Sequence, residues 1–338
     1  MKSRDLRIDL LRVIVMLGII IHHCIINDFG LQNILRGGVE LLYTENQLVA
    51  LIVGNATVVI GVNVFFLLSG WCRIDFRWQK VFALTAKIYI LFGSIQMIGF
   101  VLGVVPINAE NILHLLDPLD YYWFMMTYIF LMLCSKLLNI IVDNWNLREF
   151  ESYIAGFVVV CCIYGFFIDK NLHILKGYSF LMAMALYLLG GGLHKFYTQV
   201  KVKLRSRKIL LLVFLMAVVL NSVQIEILYK LGNKGAWDCF AYNNIFVVIE
   251  SVSIILIFAD LPKLLDGRYL NRLASATITV YILHSTCWLT KLRRLPIISV
   301  QNKFGFWRAY LLLPVYAGVI YLLGYFVNLL YEKLQILF

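Results

Sequence analysis

Arg12 and His23 stand eleven residues apart inside one apolar run from Ile8 to Ile26. A helix turning about 100° per residue brings them to nearly the same face, separated by roughly 16 Å along the axis. An ionisable side chain in hydrocarbon is costly, so two aligned on one face mark a bundle interior or a wet cavity. The planar guanidinium of Arg12 offers a fork of donors to phosphate or pyrophosphate oxygens. Asp9, three residues earlier, is placed to hold that cation. His23 is the residue type suited to taking a proton from a hydroxyl near neutral pH. The plainer alternative has Arg12 snorkelling to the headgroups and His23 packed at the interface; their shared face favours a site. His22 lies roughly 80° from Arg12 around the helix and is the weaker candidate.

Other polar groups fall inside apolar runs. Glu250 is expected either to pair with a buried cation such as Lys87 or Arg12 or to serve the site. His284 divides evenly between the same two roles. Asn221, Gln224 and Glu226 suit interhelical hydrogen bonding. His114, Asp117, Asp120, Tyr121, Tyr122 and Trp123 mix carboxylates with rings, a combination that grips a sugar but also forms an interfacial aromatic belt. Ser69 and Gly70 allow close backbone approach and supply a hydroxyl; the competing reading is a helix ended by glycine.

The elements that position these residues must be membrane helices. Hydrophobic residues make up 62% and charged ones 14% of 338 residues, with long apolar runs from end to end. A bilayer accepts each run as a helix that satisfies its own backbone, whereas a soluble core could not bury so many. Ten spans are predicted, at about 8–27, 47–71, 82–105, 121–141, 152–168, 178–196, 208–229, 243–261, 275–290 and 309–331. The fold class is all-α, a polytopic helix bundle forming a single integral-membrane domain over 1–338 with no soluble appendage. Six basic residues between Lys195 and Lys208 dominate the loop charge and place both termini in the cytoplasm. Five between Lys291 and Arg308 dissent, which makes the ninth span the weakest placement.

The net charge of +11 follows this loop pattern, with no basic stripe interleaved with stacking aromatics, so nucleic acid is not an expected partner. The first run imitates a signal peptide but is too long and lacks a small-residue cleavage site, so it is expected to stay as an anchor. Seven cysteines, without a CxxC spacing, indicate buried thiols rather than a disulfide framework or metal cluster. No metal site is expected.

Three segments in order carry a family resemblance. Asp9-Leu10-Leu11-Arg12 with His23 resembles the Arg-x10-His signature of the acyltransferase-3 family. Val62-Asn63-Val64-Phe65-Phe66-Leu67-Leu68-Ser69-Gly70-Trp71 is similar to that family's Phe-Phe-x-x-Ser-Gly segment, and Tyr281-Ile282-Leu283-His284-Ser285 resembles its late Tyr-Leu-x-His segment. Trp123 sits where the family often has a tryptophan. Two departures are Val13, in place of a glycine after the arginine, and a thinned basic approach to the third span, reduced to Arg73, Arg77, Lys80 and Lys87.

The resemblance implies a membrane O-acyltransferase, specifically an O-acetyltransferase, with acyl-CoA (acetyl-CoA) as co-substrate rather than a bound cofactor. The acceptor it implies is a hydroxyl of a cell-surface polysaccharide or lipid-linked glycan. Arg12 would bind donor phosphates together with Arg73, Arg77, Lys80 and Lys87. His23 would be the general base, with Ser69, Gly70, Trp123, Glu250 and His284 as further site candidates. The expected location is the plasma membrane, as a multi-pass protein of the bacterial cytoplasmic membrane. The competing class is a secondary transporter in which Arg12 and Glu250 bind an anion and a proton; broken or inverted-repeat helices, expected of many transporters, are not legible in the sequence.

Overall fold

The computed structural model describes residues 5–38, 43–169, 171–204, 206–262 and 267–337, which form helices and their connections with no strand among them. Among the described residues, eight helical stretches are long and apolar enough to cross a membrane: Leu6–Asp28, Glu45–Cys72, Trp78–Val101, Trp123–Asn144, Leu147–Phe167, Arg207–Lys230, Lys234–Ala259 and Leu313–Leu334. The chain is a polytopic helical membrane protein.

Two of the ten predicted spans take other forms. The sixth is Phe180–Lys195, 16 residues long, short of the usual spanning length of about 20. The ninth is divided at Thr286, whose extended backbone (φ −69°, ψ 127°) separates helix Thr277–Ser285 from helix Cys287–Phe304. The second half carries Lys291, Arg293, Arg294 and Lys303, too many cations for a continuous run through hydrocarbon. Other runs are locally interrupted as well. The second turns at Val59 and Ile60 between helices Glu45–Val58 and Gly61–Cys72, and π-helical turns occupy Cys24–Asp28 and Val158–Tyr164. These breaks correct the sequence expectation of uninterrupted helices.

The chain divides into two compact units, each assembled from separated segments. The first comprises Met1–Cys24, Arg77–Met126 and Lys263–Phe338. Its helix Leu6–His23 starts at Asp5, whose carboxylate accepts from the Arg7 backbone N–H, and packs against helices Arg268–Ser275, Thr277–Ser285 and Leu313–Leu337. A partly buried polar knot ties three helices of this unit. Lys87 Nζ donates to Asn328 Oδ1 at 2.7 Å and Thr279 Oγ1 donates to the same oxygen at 2.8 Å, while Asn328 Nδ2 donates to Glu332 at 2.8 Å. Lys87 thus has hydrogen-bonded company within its apolar helix, as an intramembrane ammonium requires.

The second unit comprises Ile25–Phe76 and Thr127–Pro262. Its tightest seam joins helices Gly61–Cys72 and Phe180–Lys195. A Cβ on Gly70 would lie 1.8 Å from the Tyr187 carbonyl oxygen, and one on Gly190 would lie 2.0 Å from that of Leu67. Hydrocarbon supplies no hydrophobic drive between helices, so association relies on such backbone-to-backbone proximity at small residues. Asparagines stitch the unit further: Asn63 donates to the Tyr242 carbonyl at 2.7 Å and Asn243 to that of Cys161 at 3.0 Å.

Candidate active site

The two ends of the first helix carry different chemistry. Near its start, Asp9 is fully buried and its Oδ1 accepts from Arg12 Nη1 at 2.8 Å, the pairing that i,i+3 spacing predicts. The guanidinium keeps 26% of its side-chain surface. It is therefore held by an internal carboxylate while the side chain keeps partial exposure. At the far end stand His22 and His23, immediately before the helix widens into the π turn Cys24–Asp28. Such turns re-aim neighbouring side chains and often accompany functional sites.

Helix Thr277–Ser285 brings His284 to this end. The ring centroids of His23 and His284 lie 5.0 Å apart, and those of His22 and His23 lie 5.5 Å apart. His22 and His284 are buried, whereas His23 is partly accessible and makes no side-chain hydrogen bond to the described residues. His284 Nδ1 lies 2.8 Å from the Val280 carbonyl. A carbonyl only accepts, so Nδ1 carries the hydrogen, leaving Nε2 of the neutral ring as an acceptor. Ser285 Oγ is 3.4 Å from that Nε2. The cluster thus has one partly accessible histidine beside a second with a fixed tautomer, an arrangement able to take up and return a proton.

A tyrosine wall adjoins the helix break. Tyr122 Oη is 2.8 Å from Thr286 Oγ1 and donates to the Ile282 carbonyl at 3.2 Å. Its ring meets Tyr121 edge-on at 4.8 Å and Tyr281 at 5.8 Å, and Tyr281 meets His284 at 5.7 Å. The divided ninth span is therefore held by Tyr122 at the break itself. Trp123 is partly accessible, its ring 6.2 Å from Phe124. His114 stacks edge-on with Tyr121 at 5.5 Å and lies 4.0 Å from Glu110. With Leu113, Leu116 and Asp117 they line an open surface depression.

The remaining predicted residues have local explanations. Arg77 and Lys80 are exposed at the start of helix Trp78–Val101, and Lys87 is committed to Asn328. Arg73 belongs to the second unit, where it donates to Asp143 at 2.8 Å from a left-handed backbone (φ 59°). Ser69, in the same unit, donates to the Phe65 carbonyl one turn back at 2.7 Å. Gly70 lies within its helix rather than ending it, pressed against Tyr187. Glu250 does not counter Lys87 or Arg12. Those cations hold Asn328 and Asp9, and both carboxyl oxygens of Glu250 are buried in the second unit with no hydrogen-bond partner. Six described cysteines lie outside any disulfide. Among the described residues no group of three or more His, Cys, Asp and Glu side chains is arranged to hold a metal ion.

Sequence reasoning missed Arg293, which it counted only as loop charge. The structure turns this residue inward, 7% exposed, on helix Cys287–Phe304, with Nη1 3.7 Å from Cys24 Sγ. Its neighbours Lys291 and Arg294 are exposed. Helix rotation separates the three: Arg293 shares a face with Ile297, four residues on and also buried.

A multi-span helical protein with an imidazole cluster at one end of its first helix and a carboxylate-held guanidinium at the other belongs with the membrane-embedded enzymes. The acyltransferase-3 family model, an acyltransferase domain, matches residues 5–332, and the chain belongs to that family. It is a membrane acyltransferase, which sets aside the transporter reading. No curated protein and no solved structure matches it.

Proposed function

We propose that this enzyme is an O-acyltransferase, with acetyl-CoA as donor and a hydroxyl of a cell-surface polysaccharide or lipid-linked glycan as acceptor, working in a bacterial cytoplasmic membrane. The observation that carries the reading is the 5.0 Å approach of the accessible His23 to the buried His284. Arg12, steadied by Asp9 and partly exposed, brings its guanidinium charge to the donor's phosphates, and exposed Arg77 and Lys80 add positive charge in the same unit. The roughly 16 Å along the first helix between Arg12 and His23 matches a long, thin donor whose phosphates and thioester lie far apart.

In the reaction, His23 takes the proton of the acceptor hydroxyl as its oxygen bonds to the thioester carbon. The carbon–sulfur bond then breaks, and the imidazolium returns the proton to the leaving thiolate. His284, with its tautomer set by Val280, steadies the transient positive charge on its neighbour. The acceptor is identified by NMR of the cell-surface glycan from cells with and without the protein, and the residue by His23→Ala. That variant is expected at normal abundance in the membrane with no ester on the glycan. Undiminished acylation would remove His23 from the chemistry.

A further inference from the structure

Acyl transfer creates a negative charge as well as moving a proton, and neither His23 nor Arg12 accounts for it. When the acceptor oxygen adds to the thioester carbon, the carbonyl π pair moves onto oxygen, and this oxyanion must be held until the carbonyl re-forms. A donor is needed beside the base, whereas Arg12 sits eleven residues away on the same helix.

Arg293 is a cation at the imidazole end. Its helix begins at Cys287, three residues after His284, and its Nη1 reaches 3.7 Å from the thiol of Cys24, the residue that follows His23. The backbone around it is pinned. Tyr316 Oη donates to the Arg293 carbonyl, next to the Leu292 carbonyl that Pro296 leaves without its usual helical donor. A buried guanidinium is expensive to desolvate, and Lys291 and Arg294 on the same helix avoid that cost by facing outward. Among the groups packed here, it presents a planar fork of N–H donors matched to an oxyanion.

We propose that Arg293 is a further catalytic residue, the guanidinium that binds the carbonyl oxygen of the acyl thioester and holds the oxyanion formed when the acceptor adds. The electron pair received by that oxygen returns to carbon as the thiolate departs, and His23 carries the proton from hydroxyl to sulfur. The proposal rests on the acyl-transfer reading above. It adds a charge-stabilising group at the His23 end and confines Arg12 to donor binding.

The test uses the full chain in lipid nanodiscs with acetyl-CoA as probe. Coenzyme A release is followed by thiol titration, in the absence of acceptor and with glycan-containing membrane extract. Arg293→Gln is expected to lower kcat about 10²- to 10³-fold while KM for acetyl-CoA changes less than about threefold and coenzyme A binding, by calorimetry, is unchanged. Arg293→Lys, which keeps the charge and loses the fork, should recover part of the loss; it decides the matter if the Gln variant fails to accumulate. A merely structural role predicts instead that KM, coenzyme A binding and thermal stability move together. That pattern, or an unchanged kcat in either variant, overturns the assignment. If the wild-type protein releases no coenzyme A while extract is present, the acyl-transfer reading itself fails and takes this one with it. Activity in the wild type with no loss in the variants removes Arg293 alone.

Discussion

His23 and His284 lie with ring centroids 5.0 Å apart, one at the end of the first helix and the other just before a helix break near the opposite end of the chain. Each has a neighbour that fixes its setting: a π turn follows His23, and the Val280 carbonyl holds His284 Nδ1. If the two imidazoles act as one unit, their mutational effects should not add. His284→Ala is expected to lower acetyl-CoA turnover about 100-fold, the low end of the range for loss of acid–base assistance. His23→Ala combined with His284→Ala should be no worse than His23→Ala alone. Independent, multiplying losses would separate the pair.

Arg12→Lys should raise KM for acetyl-CoA about tenfold, because a point charge replaces a fork that is partly occupied by Asp9. Asp9→Asn should move KM in the same direction by releasing the guanidinium from its place. The check is steady-state kinetics in nanodiscs. An unchanged KM in both variants would take Arg12 out of donor binding.

Gly70→Ala should abolish accumulation of folded protein or cost more than about 3 kcal/mol, since the new methyl would meet the Tyr187 carbonyl oxygen at 1.8 Å. The neighbour is backbone and cannot turn aside as a flexible side chain would. Thermal unfolding in detergent measures this, and a fully stable alanine variant would refute the close seam.

Lys87→Met should destabilise by about 1–3 kcal/mol by depriving the Asn328 oxygen of one of its two donors. Asn328→Leu made on top of it should cost much less than it does alone. Strictly additive melting temperatures would show that the knot contributes nothing as a network.

Glu250→Gln preserves shape and removes a carboxyl group whose two oxygens have no hydrogen-bond partner. Burying a charge without a partner is costly, so stability should stay level or rise by about 1 kcal/mol or less. A fall of more than about 2 kcal/mol would mean that the carboxylate serves a ligand or a partner.

Much of the fold was legible because a membrane helix must satisfy its own backbone within a single run of apolar residues, and hydropathy reports such runs directly. The Asp9–Arg12 pair was legible for a related reason: residues three apart on one helix are neighbours whatever surrounds them. The ninth span resisted because its apolar start and cationic continuation compete, and at the break Thr286 is hydrogen-bonded to Tyr122, which lies in another segment. For Glu250 the sequence leaves a cation partner and a site role both open, because burial alone invites either. Which helices stand beside it depends on the packing of the unit, and both expected cations already had partners in the other unit.

By itself the sequence determined that the chain is a helical membrane protein with Arg12 and His23 along one face of its first helix, since helical periodicity and hydropathy are local properties. Tertiary structure alone decided that His284 joins His23 and that Arg293, not Lys291 or Arg294, turns inward to Cys24. Those relationships depend on the rotation and docking of helices remote in sequence. Such docking is governed by side-chain fit and by close approaches such as Gly324 against Val280, neither of which has a period that can be read along the chain.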